Sequence, residues 1–331
     1  MAEGHLLRKL IRAGSHADAE EFRNAAEELI RLERDKKHHL LANDLERILY
    51  GERSSAARPV PRIVQDLPKD RERGLALLEF REPLRDLNDI VLSDENRSAL
   101  QETLLEQNRA DLLMSYGLRP ISRLLFCGPP GCGKTLAAEV LATELGLQLA
   151  TVRFDAVVSS FLGETASNLR KVFDFLVTQK VVALFDEFDA IGKEREDPTE
   201  HGELKRVVNS FLQMVDAYRG PSLLVAATNH ERVLDRAIWR RFDEVLFFDK
   251  PNLEQIRQLL PAKLRGVRYD LPLADTGFLN QFTGFTQAAI ERVLVRAIKA
   301  MALKGRQFLT VDLIAEARER EERRTTLLTK L

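Results

Sequence analysis

The feature that most constrains this chain is a glycine-rich run, Gly128 to Thr135, that fits the pattern G-x-x-x-x-G-K-[ST]. It follows the apolar segment Leu124–Cys127, which reads as a buried strand, and a helical pattern begins at Thr135. Glycines in such a turn let consecutive backbone N–H groups point inward, and the following helix N-terminus favours negative charge. The sequence therefore predicts a strand–loop–helix unit that cradles phosphate groups.

Residue types within this loop predict its contacts with ATP. Lys134 would reach the β- and γ-phosphates, and the Thr135 hydroxyl would bind Mg²⁺. Cys132 is interpreted as a small residue that fills the loop rather than as a nucleophile. An ordinary glycine-rich turn is the alternative, and the strand–loop–helix context disfavours it. The residues predicted to line the nucleotide are Pro130, Gly131, Cys132, Gly133, Lys134, Thr135 and Leu136.

Short apolar segments recur along the chain with helical patterns between them. They are Leu124–Cys127, Leu149–Phe154, Val181–Phe185, Leu223–Ala227 and Val245–Phe248. Continuous apolar strands that alternate with helices are typical of a parallel sheet covered on both faces. The sequence therefore predicts an α/β fold with a parallel five-stranded sheet flanked by helices.

Composition and periodicity divide the chain into four parts. The predicted parts are residues 1–50, a helical bundle; 51–86, a linker; 87–250, the α/β subdomain; and 251–331, a C-terminal helical lid. The bundle is rich in Ala, Leu, Glu and Arg, whereas the linker carries Pro59, Pro61 and Pro68 among charged residues. The bundle is interpreted either as a solvated helical module or as a recruitment module for other proteins.

Polar residues that follow the later strands predict the partners of phosphoryl transfer. Asp186 and Glu187 end a buried strand, where an Asp can hold Mg²⁺ and a neighbouring Glu can act as base for water. Asn229 ends the next strand and could bond both water and a γ-phosphate oxygen. Arg240 and Arg241 become candidates because an arginine supplied by a neighbour can neutralise transition-state charge.

The charge balance limits the classes of partner. Fifty basic residues oppose 51 acidic ones, for a net charge of −1. Binding to nucleic acid through its backbone requires a basic excess, so that class is disfavoured. No apolar run approaches the length of a membrane span, and the two cysteines cannot form a disulfide framework. These features predict a protein of a reducing compartment, the cytoplasm.

Taken together, the motifs resemble those of the AAA+ ATPases, specifically the AAA group. The resemblance covers residues 87–325 and follows the order of that family. Its elements are Gly128–Thr135, similar to Walker A; Leu184–Glu187, similar to Walker B; Ala226–Asn229, similar to sensor 1; and Leu234–Asp243, similar to the second region of homology with its arginine fingers.

The resemblance implies a hexameric ring that binds ATP and Mg²⁺ at each subunit boundary, where Arg240 and Arg241 reach the neighbour's γ-phosphate. It also implies that the strand before the phosphate loop is central in the sheet. Asp89 and Val91 match the segment that passes the adenine in this family, so the resemblance makes them base contacts. Thr135 and Asp186 are the implied metal ligands.

Two positions depart from the family pattern. The lid motif beginning at Gly284 usually ends Gly-Ala-Asp, but this chain has Gln287 and Ala289 at the first and last of those positions. How this lid senses nucleotide is therefore open. Arg240 and Arg241 are adjacent, which leaves open which of them is the main finger.

A further segment is similar to the pore loop of protein-translocating AAA proteins. It contains Phe161 and Leu162, followed by glycine. Rings of Phe161 around a channel would grip an extended chain through apolar contact without reading its sequence. A core anchor is the alternative role for Phe161. Residues 192–202 are interpreted as a second pore-facing loop or as a surface loop.

The leading hypothesis is an ATP-hydrolysing ring motor that unfolds, remodels or threads proteins held by the N-terminal helices. The whole chain also resembles bacterial single-ring AAA proteins that accompany a subtilisin-like protease, which would be its partner. A nucleotide-switched machine acting on nucleic acid and an ATP-gated scaffold that activates a partner protease are the alternatives.

Overall fold

A computed structural model describes residues 19–35, 67–71, 74–157, 162–187, 210–229 and 239–328. The chain divides into two compact units. One unit takes in residues 58–255 and 284–288, and the other takes in residues 1–57, 256–283 and 289–331. Each is described by itself. The predicted pore residue Phe161 and the predicted loop 192–202 lie outside the described residues.

The first unit is built on a six-stranded sheet. Its strands are β1 (Leu78–Arg81), β2 (Arg123–Cys127), β3 (Leu149–Val152), β4 (Val182–Phe185), β5 (Leu223–Thr228) and β6 (Glu244–Phe247), in the order β1-β3-β4-β5-β2-β6. The five predicted strands are all present and all parallel, which confirms the predicted α/β fold.

Two sequence-based expectations about the sheet require correction. Strand β1 pairs antiparallel with β3 and lies in the segment 51–86, which composition assigned to a linker. Leu77 and Leu78 are almost fully buried, because pairing with β3 carries them into the core. Strand β2, expected to be central, lies second from the edge, between β5 and β6.

Helices cover the sheet and form most of the described part of the second unit. They are α1 (Ala19–Asp35), α2 (Asp94–Asn108), α3 (Ala110–Ser115), α4 (Lys134–Leu145), α5 (Phe154–Val157), α6 (Leu162–Thr178), α7 (Leu253–Lys263), α8 (Thr276–Asn280), α9 (Gln287–Leu303) and α10 (Val311–Leu328). Residues 210–217 are helical as well. Ser93 caps the N-terminus of helix α2, since its hydroxyl accepts the N–H of Asn96 at 3.2 Å.

Two hydrophobic clusters form the core of the first unit. Alternate residues of the same strands belong to different clusters: Leu125 and Phe185 to one, Phe126 and Leu184 to the other. Because successive side chains of a strand point to opposite faces, this division shows that both faces are buried. Phe185 packs against Phe173 and Phe211, with ring centroids 5.7 and 5.1 Å apart.

The described residues of the second unit form helices and a short parallel pair of strands, β7 (Tyr269–Asp270) and β8 (Leu309–Thr310), which the sequence did not predict. Helices α9 and α10 are joined by the buried carboxylate of Glu321, which accepts a hydrogen bond from Arg292 Nε at 2.8 Å. Long helices therefore occupy most of the region where the sequence predicts a helical lid.

Candidate active site

The loop between β2 and α4 has a backbone that only glycine adopts readily. Gly128, Gly131 and Gly133 have φ values of 135°, 77° and 100°, a region that side chains disfavour. A Cβ at Gly128 would also collide with the backbone carbonyl of Phe248. The glycines of the motif are therefore required by backbone geometry, and the loop passes into helix α4 at Lys134.

Lys134 is buried within this loop, and its ammonium group is held by oxygen atoms. Its Nζ donates to the carbonyl oxygens of Gly128 and Pro129 at 2.5 and 3.0 Å, and to Asn229 Oδ1 at 2.8 Å. A buried charge needs such partners, since desolvation without them is costly. The structure thus brings together the lysine of the loop and the asparagine at the end of β5.

A second polar pair lies beside the first. The Thr135 hydroxyl donates to Asp186 Oδ2 at 2.8 Å, joining the start of α4 to the end of β4. Strand order explains the meeting, because β4, β5 and β2 are neighbours and their carboxyl ends lie at one edge of the sheet. Asp186 and Asn229 therefore converge on the phosphate loop from adjacent strands, as the sequence predicts.

The chain bends sharply at Glu187. Its φ is +52°, in the left-handed region, and it is the single non-glycine residue with positive φ among the described residues. Its N–H donates to Asp186 Oδ1 at 2.9 Å, and its side chain is exposed. Strained backbone of this kind is often found at functional sites. The bend interrupts the alternation of side chains along β4 at Glu187, the residue that the sequence predicts to be the general base.

The donor set suits Mg²⁺ that is brought in with a nucleotide. Thr135 and Asp186 supply a hydroxyl and a carboxylate oxygen, the hard ligands that Mg²⁺ prefers, and this ion usually takes its other ligands from water and phosphates. Within the described part of the chain, no group of three or more His, Cys, Asp or Glu side chains could hold a metal by itself.

Cys132 is buried in the loop. Burial raises the pKa of its thiol, although the nearby charge of Lys134 opposes that change. A thiol with a raised pKa is a poor nucleophile at neutral pH, because the thiolate is the reactive form. These observations support its interpretation as a filler of the loop.

A segment far away in the sequence packs against the phosphate loop. The N–H of Ala288 donates to the Gly131 carbonyl at 2.9 Å, and Gln287 Nε2 donates to the Val91 carbonyl at 2.9 Å. The sequence marks Gln287 only as a departure from a family pattern, and local pattern carries no signal for this contact. Asp89 bonds locally, accepting the N–H of Asp86 on its Oδ2 at 3.2 Å.

The two adjacent arginines have different surroundings. Arg241 Nε donates to Asp216 Oδ2 at 2.6 Å, and its side chain is 28% exposed. Arg240 is exposed to solvent. Leu162 begins helix α6, but its side chain and the whole of Phe161 lie outside the described residues. The predicted pore therefore stays a prediction.

A parallel sheet with a glycine loop after one strand, a lysine in that loop and a threonine–aspartate pair at the same edge defines a P-loop nucleoside triphosphatase. Residues 124–250 match the family described as "ATPase family associated with various cellular activities (AAA)". The chain is 44% identical over 311 residues to a Sinorhizobium fredii protein named "Uncharacterized AAA family ATPase y4kL", covering 93% of this chain and 92% of that protein. The chain belongs to the AAA ATPase family, and it is an ATPase.

Two further relatives carry more specific names. The proteasome-activating nucleotidase of Thermococcus onnurineus is 29% identical, with 83% of this chain and 71% of that protein aligned. The ATP-dependent zinc metalloprotease FtsH 2 of Symbiobacterium thermophilum is 30% identical, but the alignment takes in 70% of this chain and 41% of that protein. Within the described ranges, no helix combines the length and the apolar character that a membrane crossing requires.

Proposed function

We propose that this ATPase is a ring motor, a hexamer in the cytoplasm, that uses ATP hydrolysis to remodel, unfold or thread proteins. The observation that carries the proposal is the pairing of Lys134 with Asn229 and of Thr135 with Asp186 at one edge of the sheet. The relatives named for proteasome activation and for ATP-dependent proteolysis support a protein substrate.

The side chains at this edge have distinct parts in hydrolysis. Lys134 exchanges the loop carbonyls for the β- and γ-phosphate oxygens, while Asn229 keeps a polar contact beside them. Thr135 and Asp186 would hold Mg²⁺, and the ion would supply positive charge beside the phosphate oxygens. Glu187 accepts a proton from the attacking water as general base. Pro130, Gly131, Cys132, Gly133 and Leu136 line the phosphates, with Asp89 and Val91 beside the base.

The neighbouring subunit completes each site through its arginines. Arg241 is tied to Asp216 within its own subunit, so Arg240, which is exposed, is the main finger in this proposal. An arginine that reaches a neighbour's γ-phosphate makes hydrolysis depend on assembly. Turnover is then coupled to the contact between subunits.

The protein substrate is gripped by Phe161 and Leu162 around the channel. Residues 1–50, the predicted N-terminal module, recruit that substrate or a partner such as a subtilisin-like protease. Aromatic side chains suit this task, because they contact any extended chain without reading its sequence. Motion of the loop that carries Phe161 would then convert hydrolysis into pulling.

Binding of fluorescein-labelled casein, an unstructured protein, tests the grip. The Glu187→Gln variant with ATP holds the ring in its bound state, and anisotropy reports casein affinity. Adding Phe161→Ala is expected to weaken that affinity about tenfold or more, since a buried Phe contributes roughly 1.5–3 kcal/mol. Phe308→Ala, which removes an exposed ring elsewhere, serves as the matched control. Equal casein affinity with and without Phe161 would contradict the proposed pore.

A further inference from the structure

The segment 284–288 forms one wall of the nucleotide site. Ala288 is bonded to the Gly131 carbonyl, and a Cβ placed on Gly131 would lie only 2.9 Å from the Cβ of Ala288. A Cβ placed on Gly133 would lie 3.4 Å from Gln287 Oε1 and 3.9 Å from Ile90 Cδ1. The carboxamide of Gln287 therefore lies beside the phosphate loop, within a short distance of its last glycine.

The amide nitrogen of the same carboxamide is hydrogen-bonded to Val91. Gln287 Nε2 donates to the Val91 carbonyl at 2.9 Å, and both residues are buried, with exposed fractions of 9% and 6%. Ile90 is buried too, so an apolar side chain lies next to Gly133 together with the carboxamide of Gln287. A nucleotide anchored at the loop by its phosphates would place its base near such a surface.

The group that donates to the Val91 carbonyl can be compared with the groups that adenine and guanine present. A carboxamide donates through an –NH₂ group, and the exocyclic amine of adenine is a donor of the same kind. Guanine has a carbonyl at that ring position and cannot donate there. The –NH₂ group of Gln287 that donates to the Val91 carbonyl therefore resembles the exocyclic amine of adenine. That amine could replace Gln287 as the donor.

We propose that Gln287 sets the affinity of the site for adenine nucleotides by occupying the Val91 carbonyl until the base takes its place. The proposal rests on the nucleotide site proposed above. In the free protein, the Val91 carbonyl accepts a hydrogen bond from Gln287. When the nucleotide binds, the adenine base must break that bond and replace it with its own. Such a competing state lowers apparent affinity by the fraction of molecules that are ready to bind.

Calorimetric titration of ADP into the full chain tests the exchange. Gln287→Ala removes the whole carboxamide, whereas Gln287→Met keeps comparable bulk and removes the donor. Both variants are expected to bind ADP about fivefold more tightly than the natural chain, because one net hydrogen bond shifts an equilibrium by about that factor.

Gln107 supplies the matched control. It is 8% exposed, and its Nε2 donates to the Ile121 carbonyl at 2.6 Å, near the amino end of β2 and away from the phosphate loop. Gln107→Ala also removes a buried carboxamide bond to a backbone carbonyl, but it is expected to leave the dissociation constant of ADP unchanged. A tighter constant in this variant would assign the effect to general loosening and overturn the proposal.

The outcomes separate this proposal from the one on which it rests. Tighter binding by both Gln287 variants supports the exchange. Weaker or unchanged binding overturns it, and tightening by Gln287→Ala alone overturns it as well, since bulk rather than the donor would then control access. If the natural chain itself fails to bind ADP, the proposed nucleotide site fails instead.

Discussion

The carboxyl and amino edges of the six-stranded sheet, where its parallel strands end and begin, both carry hydrogen-bonded polar groups, but the groups they bond differ. At the carboxyl edge, Lys134 bonds to the Gly128 carbonyl and Asp186 bonds to Thr135, and in the proposed mechanism a nucleotide and its metal ion would replace these partners. At the amino edge, Asp243 accepts the N–H groups of Ser122 and Arg123 at 2.9 and 3.0 Å and an ion pair from the Arg123 guanidinium. These bonds join β2 to β6, and none of them involves a group of the phosphate loop.

In the proposed mechanism, this difference separates groups that serve the reaction from groups that serve the fold. Substitutions at the carboxyl edge should change rates with little change in stability. Substitutions at the amino edge should change stability with little change in the rate per folded molecule. The same contrast holds on a smaller scale between Arg240, which is exposed, and Arg241, which is bound to Asp216.

The largest expected effect concerns the arginine pair. Arg240→Ala should lower the ATPase turnover of the assembled protein by about 10³–10⁵-fold, the range measured for arginine fingers in other NTPases. Arg241→Ala should lower it far less, because this side chain is engaged within its own subunit. Steady-state ATPase assays on both variants, with assembly checked by sedimentation, make the measurement. The reverse order of effects would show that the bond to Asp216 breaks on assembly.

A smaller effect, on stability rather than rate, is expected at Asp243. Burial alone would raise the pKa of this carboxyl, but hydrogen bonds from Arg123 and Ser122, with the charge of Arg123, lower it overall. Since the pKa is lower in the folded state, the stabilisation is present above the ordinary pKa of Asp and is lost as pH falls through the folded value. Asp243→Asn should cost about 1–2 kcal/mol at neutral pH, because exposure to solvent weakens these charge-assisted bonds.

Urea unfolding at pH 7 and at pH 3 measures this contribution. The difference in unfolding free energy between the natural chain and Asp243→Asn should shrink at the lower pH, because the natural carboxylate begins to protonate. Asp174→Asn removes an exposed carboxylate of α6 and should leave the free energy of unfolding at pH 7 unchanged. A difference that stays constant between the two pH values would argue against the ionised carboxylate as the stabilising group.

Most of the carboxyl edge could be predicted from the sequence because its signals are local. Each of its features can be recognised within a short stretch of sequence. This holds for the glycines of the phosphate loop, for the polar residues that end β4 and β5, and for each apolar strand. Strand β1 gave no such signal, since its burial depends on pairing with β3 more than 60 residues later. The contact of Gln287 with Val91 joins positions 196 residues apart and likewise depends on tertiary structure.

The amino edge was not predicted at all, and the reason is chemical. Asp243 and Arg123 belong to residue types that are usually exposed, so pattern alone assigns them to the surface. Their partners are backbone groups and residues of other strands, which only the assembled sheet brings together. In the sequence, Asp243 is the last residue of Leu234–Asp243, the segment similar to the second region of homology, whereas the structure gives it a part in holding β2 to β6.

The smallest predicted effect lies at the amino ends of β4 and β5. The buried hydroxyl of Tyr218 accepts the N–H of Ser222 at 2.8 Å and lies 3.1 Å from the carbonyl oxygens of Leu176 and Ser222, either of which can accept its hydrogen. Burial raises the pKa of Tyr218 to about 12, so the hydroxyl stays protonated at any ordinary pH.

Tyr218→Phe should lower the free energy of unfolding by about 1 kcal/mol, because the N–H of Ser222 loses its buried acceptor while the ring still fills its place. Tyr116→Phe is the control, since Tyr116 is 76% exposed and should show no measurable change. Parallel urea titrations and ATPase assays would decide whether the amino edge serves the fold alone. A Tyr218→Phe variant of natural stability but reduced turnover would reverse the assignment and extend the catalytic machinery across the whole sheet.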